Sequence, residues 1–168
     1  HPDGPSMGPD GRDRQVEVDA SHSFGDVRLS ASYAYSDARI VGRGLATGLN
    51  GLRPAQVPRH TASATLGWKG ISGTARYVSD QFEDDQNVRR LADALTFDAV
   101  ASLPLSKQLS VTLRGENVTN ERVEAAISGL GVIERATPRT LWVGLRYQGR
   151  LRQNLAPTFS MFSALSAR

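Results

Sequence analysis

Leu109-Ser-Val111-Thr-Leu113-Arg-Gly115-Glu-Asn117 alternates strictly between apolar and polar or small residues. After a long loop that ends Ala136-Thr-Pro138, the alternation resumes as Arg139-Thr-Leu141-Trp-Val143-Gly-Leu145-Arg-Tyr147. A period of two is the signature of a β-strand whose faces meet different environments. Two strands of about nine residues joined by a loop of about twenty match a transmembrane β-hairpin.

The rest of the chain extends the pattern. Residues 15–23 set Val16, Val18 and Ala20 against Gln15, Glu17 and Asp19. After the turn Phe24-Gly25-Asp26, residues 27–36 set Val27, Leu29, Ala31, Tyr33 and Tyr35 against Arg28, Ser30, Ser32, Ala34 and Ser36. Residues 60–68 place Ala62, Ala64, Leu66 and Trp68 on one face, and Lys69-Gly70-Ile71 is a second short turn. Residues 73–79 and 95–103 alternate too, with Val78 and Val100 as exceptions, and residues 104–108 are a third short turn. Residues 38–59, 80–93 and 118–138 read as long loops. Seven strands result, with connections that run short, long, short, long, short, long.

That sequence of connections is the decisive feature. Alternation alone cannot say whether the apolar face meets a core or lipid, and a soluble lipid-binding barrel alternates as well. Outer-membrane barrels segregate short turns to one end and long loops to the other. The aromatics agree. Tyr33, Tyr35, Tyr77 and Phe97 fall toward the long-loop ends, and Phe24, Trp68 and Tyr147 toward the short-turn ends, as two interfacial girdles require. The plainer explanation is that aromatics favour strands anyway. Trp142 departs from the pattern, on the polar parity.

Bulk composition is consistent with this reading. The 168 residues are 39% hydrophobic, and the mean hydropathy is −0.34. Such an average suits a barrel, half of whose strand residues face a polar lumen. No run approaches the roughly 18 apolar residues of a membrane helix. There is no cysteine, which removes disulfide scaffolds and thiolate sites. The net charge of +3 is scattered and Arg-rich, without the basic run of a nucleic-acid arm, so no nucleic-acid partner is expected. The chain starts at His1, and no charged segment leads into an apolar core. A signal peptide has been removed, or this is a piece of a longer protein.

Five stretches, in order and spacing, resemble the C-terminal third of the barrel of the TonB-dependent outer-membrane receptors. They are Val27-Arg-Leu-Ser-Ala-Ser-Tyr-Ala-Tyr-Ser-Asp-Ala38, Val57-Pro-Arg-His60, Ala75-Arg-Tyr-Val78, Glu116-Asn-Val-Thr-Asn120 and Pro138-Arg-Thr-Leu-Trp-Val-Gly-Leu-Arg-Tyr147. The resemblance covers residues 12–148. It implies an antiparallel transmembrane β-barrel of the 22-stranded type and a place in the outer membrane. It also implies uptake of a scarce small molecule, such as a ferric siderophore, another metal chelate or cobalamin. TonB would act only through an N-terminal plug that this chain does not contain. Family members end on an aromatic just after the last strand. Here Tyr147 is followed by residues 149–168, an atypical tail without clear pattern.

No catalytic constellation stands out, so an enzyme is not expected, and neither a cofactor nor a metal site is assigned. Glu83-Asp84-Asp85-Gln86-Asn87 offers oxygen ligands but lacks EF-hand spacing, and reads as a solvated acidic loop. Arg76, Asp98, Arg114, Glu116 and Arg146 share the polar parity, as a lumen wall or a ligand surface would. His1, His22 and His60 share no motif. Ligand contacts are expected from the three long loops, without individual residues. The expected organisation is an extracellular-type loop over 1–14, barrel strands over 15–148, and the tail. The alternatives are a small stand-alone outer-membrane barrel with the tail as its last strand, a non-functional receptor remnant, and a soluble barrel with its apolar faces inward.

Overall fold

The computed structural model describes residues 14–148 and the backbone of Thr158–Ser166. Its strands, in chain order, are β1 (Arg14–Phe24), β2 (Val27–Asp37), β3 (His60–Trp68), β4 (Ile71–Val78), β5 (Gln81–Phe82), β6 (Arg90–Leu91), β7 (Ala94–Pro104), β8 (Leu109–Glu116), β9 (Glu124–Ile127), β10 (Ile133–Arg135), β11 (Thr140–Gln148) and β12 (Thr158–Ser166). Eight of them form one antiparallel sheet in the order β1-β2-β3-β4-β7-β8-β11-β12. The order is linear: β1 and β12 are the edges, and no pairing joins them among the described residues.

All seven expected strands are present. The connections also alternate as expected, with short turns at one end of the sheet and residues 38–59, 79–93 and 117–139 at the other. The differences lie in the loops and the tail. The stretches read as loop contain a 3-10 helix, Gly44–Leu49, and two ribbons, β5 with β6 and β9 with β10. Arg14, read as loop, opens β1; the remaining residues of the expected loop over 1–14, His1 included, lie outside the described residues. Of the tail, Thr158–Ser166 is an eighth strand, and the rest lies outside the described residues.

Register sorts the residues. Each apolar set faces the apolar set of its neighbour, as in the row Ala20, Ala31, Ala64, Ala75, Phe97. The row above runs Val18, Tyr33, Ala62, Tyr77, Leu95, so Phe97 sits one step further from the loop end than the tyrosines. On the opposite face, directly opposed hydroxyls bond across the strands: Ser32 with Ser63 at 2.8 Å, Thr65 with Thr74 at 2.8 Å, and Ser102 with Thr112 at 3.1 Å.

Burial is inverted relative to a water-soluble sheet. In β3, β7 and β11 most polar-parity residues are half-buried or buried, whereas most of the apolar set is exposed. Leu66 is 56% exposed and Trp68 53%. The only buried hydrophobic residues among those described are Leu91, in β6, and Ala94, which opens β7 on the polar parity. A soluble barrel with its apolar faces inward demands the reverse.

The strands are also staggered. The row that starts at Phe24, the last residue of β1, passes through Val27, Trp68, Ile71, Ala101 and Leu113 to Val143. Val143 stands five residues before Gln148, where β11 ends. Cumulative stagger of this kind tilts strands against the row direction, which is the geometry a sheet needs in order to curl into a barrel. At the short-turn end Lys69 (φ +42) and Gly70 (φ +85) take the two left-handed positions of a two-residue hairpin turn. A Cβ on Gly70 would stand 2.8 Å from the Ser102 carbonyl oxygen, so this turn has no room for a side chain there.

Candidate functional site

The chemistry gathers at the long-loop end, where the three loops are tied to one another. Arg53, in the first loop, is 9% exposed. Its guanidinium donates to the Asp80 carboxylate at 3.3 Å, to the Asp80 carbonyl at 2.8 Å and to the Val57 carbonyl at 3.4 Å. It also lies over the Phe82 ring, 5.2 Å from the centroid. The Asn87 side chain clasps the Arg53 backbone, accepting from its N–H at 2.9 Å and donating to its carbonyl at 2.7 Å. Asn87 holds φ +58, a conformation asparagine tolerates better than most residues.

The acidic run does structural work in this layer. Asp84 accepts from the Val88 and Arg89 backbone N–H groups and pairs with the Arg89 side chain at 3.4 Å. Asp85 accepts from the Ala55 N–H at 2.8 Å, and Glu83 from the Gln56 side chain at 3.1 Å. These carboxylates are spent on separate loop contacts and do not converge. No group of three or more His, Asp or Glu side chains among the described residues could hold a metal ion.

The third loop joins through Arg89, which donates to the Ile127 carbonyl at 3.2 Å, and through Glu124, which accepts from the Ala92 N–H at 2.8 Å. Its root is Asn117, 6% exposed and at φ +48. The Asn117 backbone N–H donates to Asp98 at 2.9 Å, while its side chain closes a ring with Glu121, donating to the carbonyl and accepting from the N–H, both at 2.8 Å. Asn120 accepts from the Arg139 N–H at 3.2 Å, tying the start of the loop to its end. This is the physical content of the Glu116-Asn-Val-Thr-Asn120 motif: it bends the chain off β8 and fixes where the loop leaves the wall.

The polar-parity charges behave as wall. Arg76 pairs with Asp98, and Arg114 with Glu116 at 2.6 Å. Val100, Thr112, Arg114, Glu116, Trp142 and Gly144 line a recess of about 420 Å³ on that face. Trp142 thus keeps the polar parity read from sequence, and its indole N–H is buried without a partner among the described residues. The histidines stay apart. His60 Nδ1 is 2.9 Å from the Tyr33 hydroxyl at the loop end, and His22 packs against Phe24 at the turn end, 4.1 Å between ring centroids with the rings tilted by 54°. Sequence reasoning missed Arg53. The available signal was Phe82 and Leu91 flanking the polar run, which marks a ribbon folded under a loop; Leu91 is fully buried.

Comparison with known proteins agrees with this architecture. The profile of the family described as TonB dependent receptor-like, beta-barrel, matches residues 16–118. Ferrioxamine B receptors of two Salmonella typhimurium strains are 33% identical over 129 residues, covering 68% of this chain and 18% of theirs. Two solved structures share the fold. The siderophore receptor PiuA of Acinetobacter baumannii has a TM-score of 0.66 at 18% identity, over 76% of this chain and 20% of that one. BauA, the ferric preacinetobactin receptor of the same organism, has a TM-score of 0.65 at 23% identity, over 82% and 22%. The chain therefore spans about a fifth of the length of the proteins it matches. The staggered sheet, its inverted burial and the matched profile place the chain in the TonB-dependent receptor β-barrel family.

Proposed function

We propose that this chain supplies part of the wall and loop layer of an outer-membrane receptor that takes up a ferric chelate of the siderophore type. Residues 14–148 act as the wall and its loops, and the residues before Arg14 as a flanking segment outside the bilayer. The observation that carries the reading is the inside-out sheet with every long loop at one end. Its exposed apolar rows suit hydrocarbon, and its loops form a bonded layer at the mouth. The name of the 33%-identical relatives favours a ferrioxamine-like ligand over cobalamin. The role is transport rather than catalysis, with TonB engaged through a plug supplied elsewhere.

The test is fractionation followed by binding. The chain is expected in outer membranes, extracted only by detergent. Its two tryptophans, Trp68 and Trp142, then report saturable quenching by ferric ferrioxamine B and none by cobalamin. Recovery in the detergent-free soluble fraction overturns the membrane reading. Saturable binding of cobalamin but not of the ferric chelate overturns the ligand class.

A further inference from the structure

Val100 and Trp142 are large and apolar, yet both stand on the polar parity of the wall. Register brings these two exceptions into one row, since Val100 pairs with Arg114 and Arg114 with Trp142. In the next row Gly144 lies opposite Thr112. The side chain missing at Gly144 leaves room beside Trp142, and together with Val100, Thr112, Arg114 and Glu116 these two line the recess of about 420 Å³. It sits toward the long-loop end, because Glu116 closes β8 and Trp142 comes two residues after the start of β11. Arg114 and Glu116 pair with each other at 2.6 Å. The Trp142 indole N–H is left over: it is buried and has no partner among the described residues. Buried donors are nearly always satisfied by something, so this one calls for an acceptor.

We propose that this recess is a subsite for the chelate, and that it takes a neutral carbonyl oxygen flanked by methylene groups. The inference rests on the uptake of a ferric chelate proposed above, and it names the part of that molecule which the wall touches. An indole N–H only donates, so its partner is an acceptor. The Arg114–Glu116 pair carries no net charge, so the recess has no excess of positive charge to draw in a free anion. The Trp142 ring and Val100 supply apolar surface on either side of Arg114, and the gap at Gly144 gives an aliphatic spacer room to lie against the sheet. An indole suits such a ligand, because it presents an apolar body and a single donor together. The position suits it as well. Glu116 is followed directly by Asn117, the root of the third loop, so the recess adjoins the loop layer on the polar face.

The test is equilibrium dialysis of the detergent-extracted full chain against ferric ferrioxamine B, whose colour gives an affinity independent of tryptophan fluorescence. Gly144→Val fills the recess. Trp142→Phe keeps an aromatic ring and removes the donor. Ser30→Val, on the polar face of β2, controls for general disturbance of the wall. Binding is expected to weaken about tenfold in Gly144→Val, the worth of two lost methylene contacts. It is expected to weaken about fivefold in Trp142→Phe, the worth of one hydrogen bond, and to stay at the parent's value in Ser30→Val. In Trp68→Phe, where Trp142 is the one tryptophan left, the chelate is expected to quench the remaining fluorescence with the parent's affinity. If the parent binds and neither Gly144→Val nor Trp142→Phe weakens it, the recess belongs to wall packing or to another segment of the protein, which overturns the inference alone. Weakening in only one of the two separates the donor from the recess and overturns the assignment as well, as does equal weakening in Ser30→Val. If the parent retains no chelate, the ligand reading falls, and this subsite with it.

Discussion

Ala31 and Ser30 are adjacent in β2, at one depth, on opposite faces, and both are exposed. Ala31 lies in the row of Ala20, Ala64 and Ala75, near the middle of the strand. If that face meets hydrocarbon, Ala31→Arg buries a guanidinium near the bilayer midplane, at a cost of about 2–4 kcal/mol. That is roughly a 30- to 700-fold loss in the folding equilibrium at about 1.4 kcal/mol per decade. Ser30→Arg puts the same side chain on the polar face, where Arg28 and Arg76 already stand, and is expected within about 0.5 kcal/mol of wild type. The assay is reversible denaturation in phospholipid vesicles, followed by tryptophan fluorescence, for both variants and the parent. The refuting result is equal stability of the two variants, or a penalty confined to Ser30→Arg. Either would mean that the apolar rows face water.

Removing the Asn117 side chain by Asn117→Ala leaves the Glu121 N–H and carbonyl without partners and strands a φ of +48, for a loss of about 2 kcal/mol. Asn117→Gly, which accepts the backbone but not the hydrogen bonds, is expected between the two, as read from denaturant midpoints. Arg53→Ala is expected to cost the loop layer about 1–3 kcal/mol by deleting its bonds to Asp80 and Val57. Limited proteolysis would show faster cleavage in residues 38–59 and 79–93 with the strands untouched, and unchanged cleavage would refute the keystone role. Gly70→Ala meets both a left-handed φ and the Ser102 carbonyl oxygen. A loss of about 1–3 kcal/mol is expected, measured as a lower unfolding midpoint, and a neutral outcome would show that the turn can shift away.

The Glu116-Asn-Val-Thr-Asn120 stretch shows where sequence and structure divide the work. Its place at the end of a strand was legible, because the alternation that begins at Leu109 stops at Asn117. Its partners were not legible: Asp98 and Arg139 each lie 19 residues away, brought near by pairing alone. Arg53 makes the same point. Nothing in Leu52-Arg53-Pro54 separates it from the other arginines of its loop, and only the loop behind β4, 27 residues on, makes it a buried anchor.

The sequence by itself determined the wall. Period-two alternation is local, each strand carries its own two faces, and the lengths of the connections decide which ends lie together. The tertiary structure decided what depends on register. It placed the tail on the edge of β11, where the pairing of Thr158–Ser166 turned residues without visible pattern into an eighth strand. It also spent the acidic run on loop-to-loop hydrogen bonds. Both are non-local, set by which backbone groups find partners across the sheet, and a side chain carries no record of a neighbour it meets only after the strands have aligned.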